Sequence, residues 1–186
     1  YRAGVDYRSL MEECEDLIRF VALATGAVRT IHFRECEIDL SSPWERIPVH
    51  EAFQSYSRTT VTEALEKNLF DEIMVQEIEP KLGLRQPTFL YDYPAERGAL
   101  ARLKNEDPTV AERFELYMGG LELANGFSEL VDSEEQRIRF AMENENRQTR
   151  GKPLYPMPDR FLAELDDMPP SAGIALGVDR LAMVFL

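Results

Sequence analysis

Residues 114–130 read "FELYMGGLELANGFSEL". Glu115, Glu122 and Glu129 recur every seven positions among Phe, Leu, Tyr and Met, with glycines at 119, 120 and 126. Two readings of these acids compete, and the choice decides the fold. As the solvated stripe of a helix they would need all three glycines inside that helix, each costing roughly 1 kcal/mol. As a β-hairpin the same glycines become useful, because Gly119-Gly120 suits a tight two-residue turn. A turn at Asn125-Gly126 would strand "LELA" between two turns, so Gly119-Gly120 is preferred. Met118 then pairs with Leu121, and Tyr117 with Glu122. Glu115 shares a face with Tyr117 and lies diagonal to Glu122, at roughly 7–8 Å between Cα atoms. Carboxylates so placed can hold a divalent cation such as Mg2+ completed by phosphate oxygens and water; acids turned to solvent are the alternative. Strict alternation sends Asn125, Phe127 and Glu129 to the face opposite Glu122. Bringing all five residues to one site demands a β-bulge between Glu122 and Asn125, and the small Ala124 suits it.

Upstream of the hairpin, "PTFLYDYP" (87–94) reads as a short strand bounded by prolines, and "ERGALARL" as a brief helix. Further back, residues 7–24 place Leu10, Cys14, Leu17, Ile18 and Val21 on one helical stripe, with Asp6 as N-cap and Gly26 as stop. "TIHFRECEIDL" alternates in part, "SSPWERIPVHEAF" reads as a strand entering a helix, and residues 59–82 are helical, broken near Asn68 and ended by Pro80 and Gly83. Residues 37–84 together read as an insertion-like helical segment. Downstream, "SELVDSEEQRIRFAMENENRQTR" is a long polar helix with Leu130, Ile138 and Phe140 inward. A helix near 158–167 follows, and "AGIALGVDRLAMVFL" closes as a strand running into a helix. Strands dispersed among unequal helices favour an α+β fold, an antiparallel sheet flanked by helices, over regular βαβ repeats.

The 186 residues suffice for one sizeable core. Their 44% hydrophobic and 30% charged composition is that of a soluble globular protein. No apolar run approaches the ~20 residues of a membrane span. The start "YRAGVDYRSL" has no signal-peptide pattern, and both ends read as cut from a longer chain. A net charge of −13, from 34 acids against 21 bases, argues against a broad phosphate-binding face. Cys14 and Cys36 lack metal-ligand spacing and read as free, buried thiols of a cytoplasmic protein. His32 and His50, with no nucleophile elbow, give no support to a hydrolytic triad.

The blocks "PTFLYDYP", "RFELYMGGLELANGFSEL" and "GIALGVDRL", in this order and spacing, resemble the catalytic core of class II aminoacyl-tRNA synthetases of the lysine group. The last matches the family's third motif, and "RAGVDYRSLMEE" is similar to the stretch after its second. The likeness spans the chain, dense over 87–140 and 169–186. It implies that residues 1–186 form the C-terminal part of a single synthetase-like catalytic domain lacking motif 1 and most of motif 2, and so inactive alone. Within the group the chain is more similar to the paralogues that attach (R)-β-lysine to a lysine of elongation factor P. Leu121 stands where tRNA enzymes have Arg, "YPAERGALA" lacks their "SPLA" proline, and Ala175 replaces a glycine. The Ala175 methyl would disfavour an α-amino group and tolerate a β-amino group, a discrimination of ~1–3 kcal/mol.

The resemblance implies a role for each matching residue. Glu115 and Glu122 bind Mg2+ on the ATP phosphates, and Asn125 contacts the amino acid carboxylate. Phe127 forms a pocket wall, Glu129 receives the lysine ε-ammonium, and Tyr1 contacts substrate. Gly173 and Gly177 let backbone approach the nucleotide. Arg180 lies on the ATP phosphates, and with Glu122 it carries the chemistry. The implied enzyme is an ATP-dependent ligase that forms an aminoacyl-adenylate, with elongation factor P as acceptor, in a cytoplasmic homodimer with no membrane partner. A lysyl-tRNA synthetase core charging tRNA(Lys) and a non-catalytic regulatory paralogue are the alternatives.

Overall fold

The computed structural model describes residues 1–98 and 100–186. Six strands form one sheet in the order β1-β8-β7-β6-β5-β4, antiparallel except where β4 runs parallel to β5. The strands are β1 (Arg2–Ala3), β4 (Glu45–Pro48), β5 (Thr88–Pro94), β6 (Val110–Met118), β7 (Leu121–Ser128) and β8 (Ser171–Leu176). A separate hairpin pairs β2 (Thr30–Phe33) with β3 (Cys36–Asp39). The expected α+β architecture, with an antiparallel sheet flanked by helices, is what forms.

The central hairpin turns at Gly119-Gly120. Both glycines take positive φ, +59° and +70°, so the turn needs no strain from side chains. Gly119 and Gly120 donate their N–H groups to the carbonyls of Gly83 and Leu82, which ties the turn to the end of the helical middle. Met118 pairs with Leu121 and Tyr117 with Glu122, as turn chemistry requires.

Helix α1 (Tyr7–Thr25) is set by its ends. The Asp6 carboxylate accepts from the N–H groups of Arg8 and Ser9, and Gly26 closes the helix at φ +84°. Its buried face is Tyr7, Leu10, Met11, Cys14, Ile18 and Ala22. Leu17, expected on that face, is 47% exposed. The true stripe leans one residue toward Met11 because the helix packs across β6, β7 and β8. With Trp44, Phe89, Phe114, Leu116, Met118, Leu123 and Ala124 this face forms the larger core. Helix α7 (Val178–Phe185) adds Leu181 and Val184 to it.

A second core lies against the other face of the sheet at β4 and β5. It is built by α2 (Val49–Tyr56), α3 (Val61–Glu66) and α4 (Phe70–Ile73), then a π-turn at Met74–Ile78 and a 3-10 turn at Glu79–Lys81. Asn68, at φ +53°, makes the expected break, and Gly83, at φ +71°, the expected end. The insertion-like reading of 37–84 meets a mixed segment: β3 and β4 precede the helices, and β4 belongs to the main sheet. A four-residue strand that pairs parallel leaves too weak an alternation to find locally.

Three further expectations change. Where "ERGALARL" was read as a helix, the described residues show a 3-10 turn (Ala95–Arg97) and bridges from Ala101 to Glu129 and from Leu103 to Ala111; Ala99 lies outside the described residues. Helix α5 (Ser133–Thr149) begins after Leu130, capped by Asp132; it buries Gln136 and leaves Ile138 60% exposed. Cys36 is half-buried, whereas Cys14 is buried; both are free thiols. Helix α6 (Asp159–Leu165) forms where expected. Among the described residues, no helix is long and apolar enough to cross a membrane.

Candidate active site

Strand β7 carries the bulge that the five-residue site demands. Tyr117 pairs with Glu122 but Leu116 pairs with Ala124, so β7 has one extra residue between them. That residue is Leu123 and not Ala124, which is in register with both Leu116 and Leu176. Leu123 and Ala124 therefore both enter the larger core, each 2% exposed. Beyond the bulge, Asn125 and Phe127 return to the face of Glu122. The bulge is held by its carbonyls: Leu123 O accepts from Gly177 N at 2.8 Å, and Glu122 O from Arg180 Nη1 at 2.7 Å. The start of α7 is thus pinned to the hairpin.

Cross-strand register lays the site out in rows. One row runs Ala175, Asn125, Glu115, Leu90; the next is Gly173, Phe127, Arg113; the third is Glu122, Tyr117, Thr88. All of these positions share the face opposite α1. The expected diagonal between Glu115 and Glu122 is therefore present.

Glu115 is 7% exposed and accepts four hydrogen bonds. Arg113 Nη2 (2.6 Å) and Asn125 Nδ2 (3.1 Å) donate to Oε1. The hydroxyls of Tyr93 and Tyr117 each donate to Oε2 at 2.6 Å. A buried carboxylate is tolerable on these terms, since charge-assisted bonds satisfy every lone pair. Burial and the neighbouring Glu115 charge push both phenols well above their ordinary value, so they remain donors. Glu122 is more open. Its Oε2 lies 3.3 Å from Arg180 Nη1.

Glu79, in the 3-10 turn, was not singled out in the sequence. Burial, then the charges of Glu115 and Glu122, push its carboxyl up, opposed by the nearby Tyr117 hydroxyl. Three acids thus feel one another, which is an excess of negative charge that a divalent cation would relieve. Among the described residues no group of three His, Cys, Asp or Glu side chains is arranged as a complete metal site. Glu122, with an oxygen to spare, suits a cation whose remaining ligands come from phosphate and water; Glu115, whose lone pairs are all taken, would join it only by giving up a hydrogen bond.

At the other end of the face, Gly173 admits what a side chain would exclude. A Cβ there would lie 2.5 Å from Glu129 Oε1 and 2.8 Å from the Tyr1 ring. Tyr1 and Glu129, far apart in sequence, thus meet over Gly173. Expected beside a nucleotide, Gly173 instead makes room for this carboxylate and ring. Gly177 stands beside Arg180, where a Cβ would be in ordinary contact with its side chain at 3.4 Å. Burial pushes the Glu129 carboxyl up. His32 and His50 are exposed and away from these rows. A cavity of about 360 Å³ lined by Glu45, Tyr56, Lys81 and Thr88 includes none of Glu79, Glu115, Glu122, Glu129 or Arg180.

Sequence reasoning overlooked Arg113, Tyr93 and Glu79. The one signal in the sequence was Arg113, two residues before Glu115 and so on its face.

A sheet of this order, with a glycine-turned acidic hairpin and a terminal strand delivering an arginine at the start of a helix, defines a synthetase-type catalytic core. The chain belongs to the family of class II tRNA synthetases (D, K and N), whose model matches residues 1–186. Among curated proteins it is 41% identical to elongation factor P–(R)-β-lysine ligase of Proteus mirabilis (strain HI4320). It is 40% identical to the protein of the same name from Enterobacter sp. (strain 638). Both comparisons cover the whole chain but only 59% of the relative's length.

Proposed function

We propose that the protein containing this chain is an ATP-dependent ligase. In this reading it activates lysine or (R)-β-lysine as the adenylate and transfers it to a lysine side chain of elongation factor P. The observation that carries it is the bulge at Leu123, which gathers Glu122, Asn125 and Phe127 on the face of Glu115, with Glu129 and Tyr1 beside them across Gly173. The names of the two relatives supply the acceptor.

Glu129 receives the ε-ammonium in a charge-assisted bond. Asn125 holds the carboxylate, Phe127 walls the pocket, and Tyr1 closes it over Gly173. Glu122 would hold Mg2+, with Glu115 joining it in exchange for one of its hydrogen bonds, and the ion would neutralise the ATP phosphates. Arg180, released from Glu122 when phosphates arrive, stabilises charge developing on them, beside the backbone at Gly177. The substrate carboxylate attacks the α-phosphate in line, and pyrophosphate leaves. No side chain becomes covalently bound; positioning and electrostatics supply the rate. The enzyme works as a homodimer in the cytoplasm.

The test gives the full-length protein α-lysine and β-lysine, with elongation factor P and tRNA(Lys) as competing acceptors. Acylation of elongation factor P, with β-lysine preferred, is expected. Charging of tRNA(Lys) with α-lysine would overturn the reading in favour of a lysyl-tRNA synthetase, and absence of any adenylate formation in favour of a regulatory paralogue. Ala175, exposed and paired with Asn125, is the specificity position. Ala175→Gly should shift preference toward α-lysine by roughly tenfold.

A further inference from the structure

Asn125 faces a choice that its neighbours make for it. An asparagine side chain offers an acceptor at one end and two donors at the other, and rotation by half a turn exchanges them. Here Oδ1 lies 3.3 Å from Arg113 Nε, and Nδ2 lies 3.1 Å from Glu115 Oε1. An arginine can only donate and an ionised glutamate can only accept. The reverse orientation would set donor against donor and acceptor against acceptor. The pair therefore fixes the polarity of the amide.

Arg113 is itself immobilised on three sides. Its Nη2 donates to Glu115 Oε1 at 2.6 Å, its Nη1 to the Arg97 carbonyl at 2.7 Å, and its guanidinium lies 4.4 Å from the centre of the Tyr93 ring. Its side chain is only 17% exposed. Tyr93 also donates to Glu115, so ring, guanidinium and carboxylate form one closed unit. With its plane set by the ring and the other contacts, Arg113 has Nε left to aim at Asn125. One hydrogen of Asn125 Nδ2 goes to Glu115. Among the described residues Nδ2 has no second acceptor, and Asn125 lies half-buried beside the exposed Ala175.

We infer that Arg113 is a positioning residue for the amino acid carboxylate: it locks the Asn125 amide so that a donor, never the carbonyl oxygen, meets the ligand. The inference rests on the ligase reading proposed above. It goes further in stating why that point of the pocket accepts an anion although the surrounding groups are rich in carboxylates. Arg113 touches no ligand itself. It acts through the amide, which is why a lysine in its place falls short. An ammonium can pair with Glu115 but lacks the planar fork that reaches Asn125 at the same time.

The experiment compares lysine with lysinamide, in which a neutral amide replaces the carboxylate, as competitors in ATP–pyrophosphate exchange by the full-length protein. Wild type, Arg113→Lys and Arg113→Met are measured, with melting temperature as the control for folding. Wild type should favour the carboxylate ligand. Both variants should lose roughly 10- to 100-fold of that preference through KM for the amino acid, with Arg113→Lys the milder. A folded variant that keeps the wild-type preference overturns the inference. Should neither variant fold, the wild-type protein labelled with 15N-asparagine decides. The Asn125 side-chain proton resonances should shift with lysine and far less with lysinamide, and equal shifts would overturn it. A wild type that binds neither compound would instead refute the ligase reading.

Discussion

Strand β7 shows two chemistries on its two faces. On one side Leu123, Ala124, Gly126 and Ser128 are buried against α1 and its core. On the other, Glu122, Asn125, Phe127 and Glu129 are half-exposed in a field of fixed charge. The core face tolerates no added volume: a Cβ at Gly126 would sit 2.6 Å from the Phe114 ring. The site face tolerates no lost polarity, since the buried Glu115 depends on all four of its donors. One face is built for stability and the other for binding. A one-residue bulge allows a single strand to serve both.

Substitutions on opposite faces should therefore separate stability from activity. Phe114→Ala removes a fully buried ring stacked edge-on with Phe89 at 5.7 Å. Chemical denaturation should show a loss of about 3–5 kcal/mol. Glu122→Gln should cost at most about 1 kcal/mol, because its ion pair with Arg180 is largely exposed. Pyrophosphate exchange by that variant should fall roughly 100-fold or more. Equal stability losses in the two variants would break the comparison.

The two glycines sharpen it. Gly126→Ala should lower stability by about 1–3 kcal/mol through overpacking, with the activity of folded molecules retained at low temperature. Gly173→Ala meets a carboxylate end and a ring edge, and Glu129 can move aside. Its melting temperature should change little while KM for the amino acid rises roughly tenfold or more.

A smaller effect follows from Glu129. Burial raises its pKa above the ordinary 4.5. An ammonium ligand needs the ionised form, so affinity is complete above the raised value and falls as pH drops through it. The decline should begin at a higher pH than for an unperturbed glutamate, in a profile of KM against pH. Glu129→Gln should flatten that acid limb. The raised pKa also means that the charged form is disfavoured by folding, so this residue subtracts from stability as pH rises through the same window.

The smallest effect concerns the thiols. Burial, helped by Glu15, pushes the Cys14 thiol up to about 12. A thiol reagent at mildly alkaline pH should leave Cys14 unmodified in the native protein and reach it only on unfolding.

Much of this was legible in the sequence where the determinant is local. Gly119-Gly120 dictates a turn, the turn dictates the pairing of Tyr117 with Glu122, and Asp6 and Gly26 bound α1. Even the need for a bulge could be read, because alternation alone would scatter the acids. Positions set by packing were less legible. Ile138 obeys helical spacing yet points outward, and Leu17 loses its place to Met11, because neighbouring elements choose which stripe is covered.

The sequence by itself determined the hairpin, its register and the demand for one extra residue, since backbone conformation and side-chain period act over a few positions. Only the tertiary structure decided that Leu123 and not Ala124 is the bulged residue, for that depends on core volume and on bonds from Gly177 and Arg180 more than fifty positions away. Likewise, only the folded sheet joins Arg113, Tyr93 and Asn125 around Glu115, or seats Tyr1 against Glu129 over Gly173. A buried charge must find its partners wherever the fold brings them, and sequence distance carries no record of where that is.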